Sequence, residues 1–315
     1  MMRPQNNSSR IQPDRAQCFL KKLFLTTFLC VMGATSVMAS TLRFPALVEA
    51  TTQEHHTGKV IFTELVTPDI AAAKQFYARL FGWTFQDTQN GTTVYSEAFL
   101  NGHPVAGLIH RTVPAGEHKQ PAWLTFISVG DVDAVKETAL KKGAKILFGP
   151  RDMPDRGREA VFADPQGAVF AVLASTSGDP ADVLAEPGEW VWSSLITRDP
   201  DTDAAFYQEL FNYEVFDLSS DKTAQHFLLA SGNFARASAN TLPTSRADSH
   251  PHWLNYVRVK DTVNMAAKAV TLGGRILVEP RVDRHGGKIA VVADPQGAPF
   301  GLIEWPDDES GKVSR

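Results

Sequence analysis

Glu64-Leu65-Val66-Thr67-Pro68-Asp69, then Phe76-Tyr77 and Leu80-Phe81-Gly82-Trp83, is the stretch that decides the fold. Residues 60–67 have the apolar, β-branched character of a strand. Asp69 can cap the free N–H groups of a helix start, and Ala72, Phe76, Tyr77, Leu80 and Phe81 recur at helical spacing as far as Gly82. Three short strands are predicted next, over 83–85, 94–100 and 105–110, with Asn90-Gly91 and Asn101-Gly102 as hairpin signals between them. The unit is βαβββ.

The same order follows in a strand over 124–129, a helix over 131–142, and strands near Ile146, over 160–163 and over 169–173. This pair of units then returns whole. Displaced by 130 residues without a gap, Trp123-Leu124 meets Trp253-Leu254, and Asp164-Pro165-Gln166-Gly167-Ala168 meets Asp294-Pro295-Gln296-Gly297-Ala298. A period of this length is that of a domain, since solenoid units run roughly 20–50 residues. A residue kept in both copies therefore serves the fold, and one present in a single copy is freer to serve chemistry. The predicted boundaries are a leader over 1–39, a tether over 40–57, domain 1 over 58–176, a linker over 177–187, domain 2 over 188–306 and a tail over 307–315.

The fold class is α+β, and the pattern resembles the vicinal oxygen chelate superfamily, which includes glyoxalase, bleomycin resistance proteins and extradiol dioxygenases. The resemblance rests on the strand–helix stretch quoted above, on Asp164-Pro165-Gln166-Gly167, and on their repeats, and it spans almost all of 58–306. It implies that each domain curls two modules into one cup of mixed sheet. It also implies a divalent metal in the cup, held by His, Gln or Glu on four strands. Registered on the family, those positions carry Phe62, Ala106, Leu124 and Ala171 in domain 1, and Trp192, Arg236, Leu254 and Gly301 in domain 2. None offers the lone-pair donor a divalent ion needs, so no metal ligand and no cofactor is expected unless ligands are displaced from these positions.

At the amino end, Arg10, Arg15, Lys21 and Lys22 precede the apolar run Leu23-Phe24-Leu25-Thr26-Thr27-Phe28-Leu29-Cys30-Val31-Met32. Val37-Met38-Ala39 then places small or short side chains for a cut after Ala39, the layout of a secretory signal peptide. A retained membrane anchor is the alternative. Cleavage removes both cysteines, Cys18 and Cys30. Five basic residues and one acidic residue leave too, which takes the net charge from −4 to −8. That balance argues against nucleic acid or an anionic membrane surface as partner. A periplasmic or secreted protein with a small-molecule ligand is expected.

Alternation along the strands fills the cups. Cup one reads as Phe62, Glu64, Val66, Phe126, Ala171 and Leu173, with Ile61 and Leu65 on the helix side. Cup two reads as Trp192, Ser194, Ile196, Tyr256 and Arg258, with Arg236. Ala171 and Gly301 should leave room in the floor. Phe62, Phe126, Trp192, Ser194, Arg236, Tyr256 and Arg258 are the candidate ligand-binding residues. Glu64 is the catalytic candidate: burial would raise its pKa toward a general base, while a structural glutamate is the other reading. Arg258 is read either as a clamp on an anionic ligand or as an edge salt bridge. Trp123, Trp253, Arg151 and Arg281 read as structural, and Asp164 and Asp294 as turn residues. His55, His56 and His118 fall in loops and His250 and His252 flank a strand start, and all five read as solvated side chains rather than ligands. Binding of a small, partly aromatic molecule without metal is the favoured function. The others are a lyase or isomerase, related to lactoylglutathione lyase, that uses Glu64 or displaced metal ligands, and a scaffold.

Overall fold

The computed structural model describes residues 44–48, 52, 54–90, 93–111, 121–220, 223–243, 250–283 and 286–307. The expected leader, the cut after Ala39, His118 and most of the tail lie outside these residues. Among those described, no helix is long and apolar enough to cross a membrane.

The first copy is β1 (Val60–Thr67), α1 (Ile70–Phe81), β2 (Thr84–Asn90), β3 (Thr93–Leu100), β4 (His103–His110), β5 (Ala122–Ser128), α2 (Val132–Lys141), β6 (Lys145–Met153), β7 (Gly157–Ala163) and β8 (Val169–Ser175). The second is β9 (Trp190–Thr197), α3 (Pro200–Phe211), β10 (Glu214–Asp217), β11 (His226–Ser231), β12 (Phe234–Thr241), β13 (His252–Arg258), α4 (Thr262–Thr271), β14 (Arg275–Val282), β15 (Lys288–Ala293) and β16 (Pro299–Ile303). Each copy makes one eight-stranded sheet, in the orders β2-β3-β4-β1-β5-β8-β7-β6 and β10-β11-β12-β9-β13-β16-β15-β14. β1 lies parallel to β4 and antiparallel to β5, and β5 parallel to β8, so two βαβββ modules meet along β1 and β5. The fold is the expected α+β arrangement of two tandem cup domains.

Helix starts follow the sequence closely. The Asp69 carboxylate accepts from Ala72 N–H at 2.9 Å, and Gly82 closes α1 at φ +83°, where a side chain would be strained. Asp199 caps α3 in the same way, at 3.2 Å from Thr202 N–H.

The helix-bearing faces of the two sheets share their cores. One core joins Phe76, Tyr77 and Leu80 of α1 to Ala266 and Ala269 of α4 and to Phe300. The other joins Val132, Val135 and Phe170 to Phe206, Tyr207 and Phe211. The residues common to both copies tie this interface. Tyr77 O–H donates to Asp294 at 3.2 Å and accepts from Trp123 Nε1–H at 3.0 Å. Tyr207 O–H donates to Asp164 at 3.0 Å and accepts from Trp253 Nε1–H at 2.9 Å. Gln296 Nε2–H donates to Asp69 O, and Gln166 Nε2–H to Asp199 O. Asp164 and Asp294 also hold their own turns through backbone N–H groups of Ala168 and Ala298. Twofold repetition in the sequence is thus approximate twofold symmetry in the contacts.

Two points of register differ from the expectation. Glu64 stands beside Gly107, whereas its counterpart Ser194 stands beside Ser238. The β3–β4 hairpin therefore corresponds to β11–β12 at a spacing one residue longer than 130, and the gapless match fails there. In addition, a bulge between Val60 and Phe62 turns Ile61 to the cup, where it packs with Phe62 and Phe126. The expected tether also fails in part. Phe44 and Leu47 are each 5% exposed and pack into cup one; residues of this type, next to an apolar cup, are driven in by the same force that builds a core.

Candidate functional site

Cup one is closed by side chains. Leu47 lies in a cluster with Ile61, Phe62, Phe126, Ala171 and Leu173, and Phe44 lies edge-on to Tyr95 with ring centroids 4.8 Å apart. Beneath them sits Arg156, 1% exposed, its guanidinium 4.4 Å above the Phe62 ring. Arg156 donates from Nε to Pro45 O at 2.8 Å and from Nη2 to Tyr95 Oη at 3.0 Å.

Glu64 belongs to an acidic group. Glu97, Gly107 and Glu64 stand side by side across β3, β4 and β1. Glu64 is pushed up to about 7, first by burial and then by Glu159, against the pull of Arg156 and Arg111. Burial raises Glu97 and Glu159 to about 7 as well, with Arg156 opposing in both. Glu97 and Arg156 had no place in the sequence reading. Their signal was the alternation along the β3 hairpin and the edge of β7, which was not followed.

Cup two is hollow. It encloses a cavity of about 1040 Å3, lined by Trp192, Ser194 and Ile196 of β9, Ser238 and Asn240 of β12, Leu254 and Tyr256 of β13, and apolar side chains of β14–β16. Trp192 stacks on Trp305, with centroids 5.5 Å apart and planes 30° from parallel. One wall is a polar ladder. Trp192 Nε1–H and Asn240 Nδ2–H both donate to Ser238 Oγ, at 3.2 and 3.0 Å. With both lone pairs used, Ser238 gives its proton to Ser194 Oγ at 2.9 Å. Ser194 in turn bonds Tyr256, whose pKa burial lifts to about 12. Asn240 Oδ1 faces His226 Nδ1 at 2.5 Å, so His226 carries its proton on Nδ1. The Tyr256 phenol stays neutral at any physiological pH.

The structure brings together Trp192, Ser194 and Tyr256, and separates the two arginines from them. Arg236 makes a forked pair with Asp182 of the linker, at 2.6 and 3.1 Å, beside Lys59. A bulge is the reason: Leu229 pairs with Ala237 and Ala230 with Ala235, so Arg236 is the extra residue of β12, while Ser238 stands beside Ser194. Arg258 lies at the strand end, donating to Ala185 O at 2.7 Å, to Trp305 O and to Asp307. Neither arginine forms an anion clamp inside the cup. Phe62 and Phe126 face cup one but are covered by Leu47. The floor is not open either, because a Cβ built at Gly301 would overlap the Tyr256 ring. Arg281, read as structural, and His252, read as a solvated residue, line the cavity together with Asp283 and Glu304. His226 and Asn240 lie on the β11–β12 hairpin, where only Arg236 was read from the sequence.

The residues at the family's metal positions do not fit a metal. In domain 2 the volume of a ligand on β16 is taken by the Tyr256 ring, and Trp192 stands where the β9 ligand would be. Among the described residues no group of three or more His, Cys, Asp or Glu is placed to hold an ion.

Comparison with known proteins agrees with this architecture. Residues 55–172 match the glyoxalase/bleomycin resistance protein/dioxygenase superfamily, and 192–303 match a glyoxalase-like domain. A Mycobacterium tuberculosis protein named as a candidate glyoxylase, CFP32, is 32% identical over 253 residues, covering 80% of this chain and 96% of its own length. The anthracycline biosynthesis protein DauV of Streptomyces sp. is 32% identical over 259 residues, covering 78% and 93%. The Mn(II)-bound glyoxalase from Novosphingobium aromaticivorans superposes with a TM-score of 0.56 at 16% identity, over 82% of this chain and 85% of that one. The 2,2',3-trihydroxybiphenyl 1,2-dioxygenase of Sphingomonas wittichii gives 0.56 at 13% identity, over 82% and 92%. The chain belongs to the glyoxalase/bleomycin resistance protein/dioxygenase superfamily, as a tandem two-domain member.

Proposed function

We propose that this protein binds a small, partly aromatic molecule in cup two without a metal, and that it works in the periplasm or outside the cell. The observation that carries the reading is the construction of cup two. Trp192 stands at one of the family's ligand positions and the Tyr256 ring fills the space of another, and the cavity they leave suits a multi-ring molecule, since small-molecule sites are commonly ~300–1,000 Å3. Stacked Trp192 and Trp305 supply a flat apolar surface, and the Ser194–Ser238–Asn240–His226 ladder supplies oriented hydroxyl and amide dipoles. That wall suits carbonyl or hydroxyl groups on the ligand, while Arg281, Asp283 and Glu304, which also line the cavity, can meet a charged substituent. The relative named for anthracycline biosynthesis fits a fused-ring aromatic ligand. Export rests on the leader pattern alone.

The test is titration with an anthracycline such as daunorubicin, read by quenching of tryptophan fluorescence and by native mass spectrometry. Saturable binding lost in Trp192→Ala supports the proposal. Binding that survives this change, or stoichiometric divalent metal in cup two, removes it.

A second reading, a lyase or isomerase using Glu64 as proton acceptor, is favoured by the pKa of about 7 in a buried cup. It requires Phe44 and Leu47 to leave. Turnover of the methylglyoxal–glutathione hemithioacetal that disappears in Glu64→Gln would establish it.

A further inference from the structure

Cup one holds a piece of its own chain, and the piece is held as a ligand is held. Residues 44–48 lie in no helix or strand. Two side chains anchor them: Phe44 among Tyr95, Ile109 and Met153, and Leu47 on Phe62, Phe126 and Ala171. Their backbone is met at single points rather than along a ladder. Pro154 O accepts from Phe44 N–H at 3.3 Å, Arg156 Nε–H donates to Pro45 O at 2.8 Å, and Ser177 Oγ accepts from Val48 N–H at 3.3 Å. Side-chain anchors in pockets, with a few polar contacts fixing the backbone, are how clefts recognise extended peptides.

The cup is also chemically unlike a core that has merely closed. Arg156 is buried with no carboxylate within ion-pair distance among the described residues, and its Nε is satisfied by Pro45 O. Glu97 is 5% exposed, and its Oε1 has no hydrogen-bond partner. Polar groups sunk without partners are costly in a permanent interior, and they suit a surface that an occupant covers and uncovers. Leu47 rests on Phe62 and Ala171, two of the positions where the family's resemblance places metal ligands.

We propose that cup one is a peptide-binding cleft for an extended Phe-Pro-Ala-Leu type of segment, occupied in this protein by its own residues 44–48. Phe44 is the aromatic anchor, Leu47 the aliphatic anchor, and Arg156 reads the carbonyl between them. Because recognition uses two side chains and three backbone groups, the cleft accepts the same segment in trans, from a synthetic peptide or a second copy. This site is separate from cup two, and its test does not depend on ligand binding there.

The experiment inserts a specific protease site between Val48 and Thr52 of the otherwise complete chain, so the protein folds before the segment is cut. After cleavage the amino-terminal fragment should stay bound through size-exclusion chromatography. It should exchange with an excess of fluorescent synthetic peptide spanning residues 42–48, while the near-ultraviolet circular dichroism of the remainder is unchanged. Phe44→Ala should speed loss of the fragment by about 30-fold or more, the usual cost of truncating a central aromatic anchor. Arg156→Lys keeps the charge but not the fork, and should weaken labelled-peptide binding by about 10-fold. Three outcomes overturn the proposal: a fragment that leaves at once in the unmodified sequence, a fragment that never exchanges, or collapse of domain 1 when it departs. The last two would make residues 44–48 a fixed part of the core.

Discussion

Cup one and cup two are walled by equivalent strands with the same pairing, yet the first is filled and acidic while the second is hollow and carries hydroxyl and amide groups in place of the buried carboxylates. The contrast begins with paired positions: Phe62 and Trp192, Glu64 and Ser194, Gly107 and Ser238, Phe126 and Tyr256. In domain 1 the polar members are carboxylates around a buried arginine, covered by Phe44 and Leu47. In domain 2 they are hydroxyls and an amide that satisfy one another and leave a cavity of about 1040 Å3. The helix faces show the opposite behaviour, since Tyr77 with Asp294 and Tyr207 with Asp164 are the same contact made twice. Duplication has held the interface constant and let the cups diverge.

The largest effect expected from this contrast is a pH dependence that belongs to cup one. Glu64 has an ordinary value of 4.5 and a folded value of about 7, so the folded state holds the proton more tightly. Its contribution is fully present below the unfolded value and is lost as pH rises through about 7. Glu64→Gln removes that loss and should add on the order of 3 kcal/mol at about pH 8 and little at about pH 4. Ser194→Ala should show no such slope. Urea denaturation of the three proteins across this range decides it, and a parallel pH profile for wild type and Glu64→Gln would mean that Glu64 is ionised and paired.

Next in size is the ligand test of the same asymmetry. Trp192→Ala should weaken daunorubicin binding by about 30-fold or more, as loss of an aromatic anchor does. The matching Phe62→Ala should leave the affinity within about twofold, since sites this far apart act independently. Equal losses in both variants would show that the cups work together.

Gly301→Ala comes third. Its new methyl overlaps the Tyr256 ring and should cost on the order of 1–2 kcal/mol of stability through overpacking. Thermal unfolding checks it, and a neutral result would mean that Tyr256 swings freely and that the metal position is sterically open.

The smallest pair probes where the halves are alike. Tyr77→Phe and Tyr207→Phe each leave an indole N–H and a buried aspartate short of a partner, at about 1 kcal/mol each. Equal shifts in the denaturation midpoint are expected, and a large inequality would contradict the symmetry of the interface.

The fold was legible because its signals are local and repeated. Asp69 and Asp199 announce helix starts, Gly82 a helix end, and each Asp-Pro-Gln-Gly a turn before a final strand. The inward faces of β1, β5, β9 and β13 were legible from alternation, which placed Trp192, Ser194 and Tyr256 in the cavity wall. Strand parity is lost by one inserted residue, and the hairpin β11–β12 carries one relative to β3–β4. A bulge at Arg236 also turns that residue away from the face that Ser238 and Asn240 share, and alternation alone does not reveal it. The tether was read from its polar surroundings, and the short apolar run around Phe44 and Leu47 is interrupted by Pro45 and has no strand or helix period to detect. Only the shape of cup one shows where Phe44 and Leu47 go.

The central claim is that one cup is open to a ligand and the other is occupied by the chain itself. Native mass spectrometry of the purified protein titrated with daunorubicin tests it directly. The account predicts saturation at one ligand per chain, with no bound divalent metal, and loss of that ligand in Trp192→Ala but not in Phe62→Ala. Two ligands per chain, or one that Phe62→Ala removes, would contradict it.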